Sequence, residues 1–162
     1  MNPFRRITPF LWFNDNAEAA VEFYLGVFPN SRVETVARYG DAGPGPRGAV
    51  MTIAFQLDGQ DFVALNGGPS FPFTPAVSFV VNCATQAELD LYWEKLSAGG
   101  QVQQCGWLTD RFGVSWQVVP ADLGRMVADP DPARAQRVMQ ALLGMGKLDI
   151  AALRRAYETP AT

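Results

Sequence analysis

The strongest constraint on this chain is that one pattern occurs in it twice. In the first copy, Phe10-Leu11-Trp12-Phe13-Asn14 leads into Asp15-Asn16-Ala17-Glu18 and an amphipathic run to Phe28. In the second, Ser78-Phe79-Val80-Val81-Asn82 leads into Thr85-Gln86-Ala87-Glu88 and a run to Leu96. Each is a short apolar strand closed by asparagine, then a helix start, a helix and a set of strands. The duplication predicts an α+β fold of paired modules, over 1–68 and 69–120, with a C-terminal helical tail at 121–162.

Periodicity supplies the elements. Residues 8–14 read as a strand; Asp15 and Glu18 have capping-box spacing, and Ala17, Ala20, Val21, Tyr24, Leu25 and Phe28 recur on one helical face. Pro29-Asn30 ends that helix. A strand over 31–39 precedes a glycine- and proline-rich turn at 40–48, and strands over 49–57 and 60–66 meet at Asp58-Gly59, a strong hairpin signal. Gly67-Gly68-Pro69 through Pro75 links the modules. The second module has a strand at 77–82, a capping box at Thr85 and Glu88, and a helix face of Leu89, Tyr92, Trp93 and Leu96 stopped by Gly99-Gly100. Strands near 101–104, 105–108 and 114–119 complete it, the last two joined through Thr109–Gly113.

In the tail, Asp131-Pro132 places proline at its favoured first helical position, and Asp149 opens a last short helix. Val138, Met139, Leu142, Leu143, Ile150 and Leu153 need burial, either on their own chain or against a second copy. A homodimer is the expectation.

Composition narrows the function classes. A net charge of -3 gives no basic excess to attract nucleic acid or an anionic membrane. No apolar run approaches the ~20 residues that span a bilayer, and the basic N-terminus lacks a following apolar segment, so a cytoplasmic protein is expected. Cys83 and Cys105 have no metal-site spacing and read as reduced thiols. The glycines at 40–48 do not form GxGxxG between a strand and a helix, so no nucleotide or S-adenosylmethionine loop is expected. Histidine is absent from all 162 residues, which removes the commonest general base and metal ligand.

Four blocks carry a family resemblance: Ile7–Phe13, Phe23–Val33, Leu65–Pro69 and Cys105–Gln117. On these, the chain resembles the PhnB-like branch of the vicinal-oxygen-chelate superfamily, which includes glyoxalase I, bleomycin-resistance proteins and extradiol dioxygenases. Many members of the branch carry the label 3-demethylubiquinone-9 3-methyltransferase. The resemblance implies paired βαβββ modules forming a curved mixed sheet with a concave ligand face. In metal-dependent relatives a histidine opens the first strand of each module and a glutamate lies in its last strand. Those positions fall near Thr8 and Ala76, and near Ala64 (or Asn66) and Gln117. None of these side chains supplies an imidazole or carboxylate, so no metal and no cofactor are expected.

Strand alternation then predicts the contents of the concavity. Thr8, Phe10 and Trp12 share a face, as do Ala64 and Asn66, Ser78 and Val80, and Ser115 and Gln117. With Trp107 and Arg111 from the Cys105–Gln117 block, these form the expected pocket for a small molecule. Alternatively, Phe10 and Trp12 fill a core that binds nothing. Arg111 beside Asp110 reads either as an anion-recognising group at the pocket mouth or as a solvated turn residue. Three functions follow: a metal-free small-molecule-binding protein, an enzyme acting without the usual metal (the methyltransferase label included), or a vestigial scaffold.

Overall fold

The computed structural model describes residues 5–159; the start of the basic N-terminus, residues 1–4, lies outside them. The elements gather into two units that divide between Phe73 and Thr74. The first holds β1 (Phe10–Phe13), α1 (Ala17–Val27), β2 (Arg32–Arg38), β3 (Val50–Leu57) and β4 (Gln60–Asn66). Its sheet runs β1-β4-β3-β2, with β1 parallel to β4 and the other pairs antiparallel. The second holds β5 (Ser78–Cys83), α2 (Gln86–Ser97), β6 (Gln101–Val102), β7 (Trp107–Thr109) and β8 (Ser115–Pro120) in the same order, β5-β8-β7-β6. The βαβββ unit is thus written twice.

In the first unit, Leu11 and Phe13 of β1 join Ile53, Phe55, Phe62 and Ala64 beneath the buried Ala17, Ala20, Val21 and Tyr24 of α1. Burying each large apolar side chain contributes roughly 1.5–3 kcal/mol. Asp58 and Gly59 both have positive φ, +46° and +80°, as a tight hairpin turn requires. The Asp15–Glu18 capping box does not form: Asn16 is the N-cap, without a side-chain cap bond. Asn66, at the end of β4, takes its place by accepting from the Ala17 N–H at 2.8 Å.

In the second unit the expected cap does form, with Glu88 N–H donating to Thr85 Oγ1 at 3.2 Å and Ala84 N–H to Glu88 Oε2 at 2.7 Å. Strand β7 begins two residues later than expected because Cys105 and Gly106 have positive φ, +62° and +81°. Their N–H groups donate instead to Met145 and Gly146 in the tail.

The tail forms α3 (Leu123–Val127), α4 (Pro132–Leu143) and α5 (Ile150–Glu158), the last two capped by the Asp131 and Asp149 carboxylates. Its stripe is largely hidden within its own unit: Val138, Leu142, Ile150 and Leu153 are buried, leaving Met139 and Leu143 exposed. Four of the six side chains invoked for a dimer interface are therefore already used. Among the described residues, no helix is long and apolar enough to cross a membrane.

Candidate functional site

Each sheet has one face under its helix and one turned away from it, and the strand register assigns every side chain. In the second unit Ser78 pairs with Ser115, Val80 with Gln117, Trp107 with Gln117 and Thr109 with Ser115. Paired residues share a face. Ser78, Val80, Trp107, Thr109, Ser115 and Gln117 therefore lie on the face opposite α2, while Val81, Leu108, Trp116 and Val118 are buried beneath it. Gln117 Nε2 donates to Ser78 Oγ at 3.0 Å, and Gln103 Nε2 donates to Thr109 Oγ1 at 3.0 Å. Ser115 is 2% exposed, and its hydroxyl has no hydrogen-bonding partner among the described residues. Thr109 extends β7 one residue past the expected strand end at Leu108, and alternation from Trp107 places it on this face.

The corresponding face of the first unit differs from expectation. Phe10 pairs with Val63 and Trp12 with Leu65, while Leu11 pairs with Ala64 and Phe13 with Asn66. Phe10 and Trp12 thus lie opposite α1, joined by Val63 and Leu65. Ala64 and Asn66 belong to the helix-covered face, which corrects their assignment to the pocket. Ala64 is fully buried, and Asn66 reaches the first turn of α1. The phase was unreadable because Phe62–Leu65 is apolar at every position. Thr8 is exposed and precedes β1.

Trp12 is held by the segment after β4. Its indole N–H donates to the Gly68 carbonyl at 2.9 Å, and Phe71 meets its ring edge-on at 5.0 Å between centroids. A Cβ at Gly67 would collide with the indole ring, so glycine there permits the close approach.

Arg111 reaches the end of α2. Its Nε donates to the Ala98 carbonyl at 3.0 Å, capping the end of α2. Asp110 organises the turn: Oδ1 accepts from Phe112 and Val114 N–H at 2.8 and 3.1 Å, and Oδ2 accepts from the Trp116 indole at 2.9 Å. This pair serves the fold.

A cavity of about 480 Å³ opens at the rim of the first unit, between the start of α1, the loop after β2 and the end of β4. Asp15, Glu18, Arg38, Tyr39 and Asn66 line it, with Pro44 and Pro46 among its apolar walls. The glycine–proline stretch, read as a turn, is a packed wall: a Cβ at Gly43 would stand 2.6 Å from the Tyr39 ring, and one at Gly45 would collide with it. Tyr39 in turn donates its hydroxyl to the Asn66 carbonyl at 2.6 Å. The sequence signal was an aromatic residue entering a glycine-spaced loop.

The family model described as 3-demethylubiquinone-9 3-methyltransferase matches residues 5–119. The chain belongs to this family. The structure of the PhnB protein from Bacillus cereus is 37% identical, with a TM-score of 0.66, covering 72% of this chain and all (100%) of its own. Protein PA1353 from Pseudomonas aeruginosa is 26% identical, with a TM-score of 0.57 over 70% of this chain and 95% of its own. The fosfomycin resistance protein FosX from Listeria monocytogenes shares the fold at 15% identity and a TM-score of 0.51, over 77% of this chain and 97% of its own. No curated protein matches the chain.

The wider superfamily's metal site can be tested against the donors present in this PhnB-like chain. The face opposite α1 offers Val63 and Leu65 in β4, and the face opposite α2 offers Gln117 in β8. Thr8 and Ala76 stand at the proposed histidine positions. These residues do not fit a Zn, Fe or Ni centre. Among the described residues, no three His, Cys, Asp or Glu side chains are grouped to hold a metal.

Neither thiol is paired. Burial, reinforced by the charge of Glu88, pushes the Cys83 thiol up to about 11. At pH 8, well below that value, Cys83 stays in the thiol form. Cys83 is therefore expected to stay silent towards Ellman's reagent in the native protein at pH 8 and to react on unfolding. Rapid native modification mapped to Cys83 by peptide mass would contradict the burial argument.

Proposed function

We propose that this PhnB-like protein binds a small, uncharged, hydrogen-bonding molecule on the sheet face formed by Ser78, Trp107, Thr109, Ser115 and Gln117, without a metal ion. The Gln117 carboxamide, half-buried beside the covered Ser115 hydroxyl, carries this reading. Its bond to Ser78 uses one amide hydrogen and leaves the Gln117 carbonyl oxygen to accept from a ligand. Trp107 adds a flat apolar surface on the same face.

Binding is favoured over acid–base catalysis because the six assigned side chains of this face include no titratable group. The family's methyltransferase label gains no support from a strand–glycine loop–helix unit, since the loop after β2 runs into β3 and packs on Tyr39.

Benzamide is a suitable probe, since it has a planar ring, one acceptor and an N–H₂ donor. Titration into the full chain is expected to shift the amide resonances of β7 and β8, and Gln117→Leu is expected to weaken binding about tenfold. Elemental analysis is expected to find no stoichiometric transition metal. Failure of benzamide and related neutral amides to shift β7 and β8, or one equivalent of metal lost on changing Gln117, would overturn the reading.

A further inference from the structure

The rim cavity of the first unit has a chemistry of its own, distinct from the neutral face of the second. We propose that it binds a zwitterion of the α-amino-acid class with a compact apolar side chain. Its volume of about 480 Å³ falls within the usual range for small-molecule sites. Charges of both signs line it, Asp15 and Glu18 against Arg38.

These groups retain bonding capacity. Glu18 uses Oε2 to accept from Asn66 Nδ2 at 2.7 Å, leaving its other oxygen. Arg38 donates from Nη1 to the Gly48 carbonyl at 3.0 Å, leaving Nε and Nη2 to meet a carboxylate. Asp15 is exposed and makes no side-chain hydrogen bond or ion pair among the described residues.

Two carboxylates against one guanidinium give the cavity a net charge of one minus, which repels a simple anion, while Arg38 opposes a simple cation. A molecule carrying an ammonium and a carboxylate satisfies both. Pro44, Pro46, Ala49 and Val50 leave apolar wall for its side chain.

The wall is built in advance. Tyr39 is buried and fixed to Asn66, and the loop lies across its ring with glycine where a Cβ would clash. A ligand therefore meets an ordered cavity with little loop entropy left to lose.

L-Leucine, N-acetyl-leucine and leucinamide, titrated into the full chain and followed by amide resonances, test the assignment. Leucine is expected to shift residues 14–18, 38–49 and 66–68, and each derivative, lacking one charge, to bind about tenfold more weakly. Arg38→Gln should weaken leucine and N-acetyl-leucine but spare leucinamide; Asp15→Asn should weaken leucine and leucinamide but spare N-acetyl-leucine. Both side chains are exposed, so unchanged resonances elsewhere will certify the fold of each variant. Equal binding of leucine and leucinamide would make this a cation site and overturn the proposal. Absence of shifts at the rim with leucine, and with valine and proline as smaller probes, would overturn it as well.

Discussion

Asp110→Ala is expected to lower the free energy of unfolding by about 3–5 kcal/mol, a large effect for a polar substitution in a turn. Asp110 is 3% exposed, and its carboxylate accepts from Phe112 N–H, Val114 N–H and the Trp116 indole N–H. Removing it strands three donors, two of them on buried residues, Val114 and Trp116. Asp110→Asn separates the contributions, because its oxygen can still serve the backbone donors while its N–H₂ group faces the indole N–H. A loss of about 2 kcal/mol is expected for that variant. Urea denaturation with far-ultraviolet circular dichroism measures both. A change below about 1 kcal/mol for Asp110→Ala would show that the turn holds without its carboxylate.

Asn66→Ala is expected to cost about 2–3 kcal/mol, concentrated at the start of α1. Its side chain accepts from Ala17 N–H and donates to Glu18 Oε2 and the Val50 carbonyl, so one amide ties the helix to two strands. The bond from Tyr39 goes to the Asn66 backbone and survives the change. Hydrogen exchange should therefore accelerate at Ala17–Ala20 more than at the β3–β4 pairing. Uniform acceleration across the unit would assign Asn66 to general packing and remove its role as a cap.

Much of this architecture was legible in the chain because its determinants are local. The apolar recurrence at Ala17, Ala20, Val21 and Tyr24 needs only helical periodicity, and the Asp58-Gly59 turn needs only two residues that tolerate positive φ. The Thr85–Glu88 cap closes within one helical turn. Ser78, Ser115 and Gln117 were assigned to one side of their strands because polar residues there alternate with the buried Trp116 and Val118. The apolar sequence of β4 offers no such contrast, so nothing local marks Ala64 and Asn66 as facing α1.

By itself the sequence determined the two modules, most of their elements and the lack of histidine ligands, since each depends on spacing or residue chemistry. Tertiary structure decided the rest. The pairing of β1 with β4 placed Asn66 beneath α1 instead of beside Trp12, and Arg111 found its acceptor at Ala98, on a different element. The cavity beside Tyr39 likewise gathers residues from α1, the loop after β2 and the end of β4. The physical reason is that a side chain's partner depends on strand register and chain return, which bring together groups as far apart in sequence as Ala17 and Asn66, whereas local conformation depends on neighbours the sequence already displays.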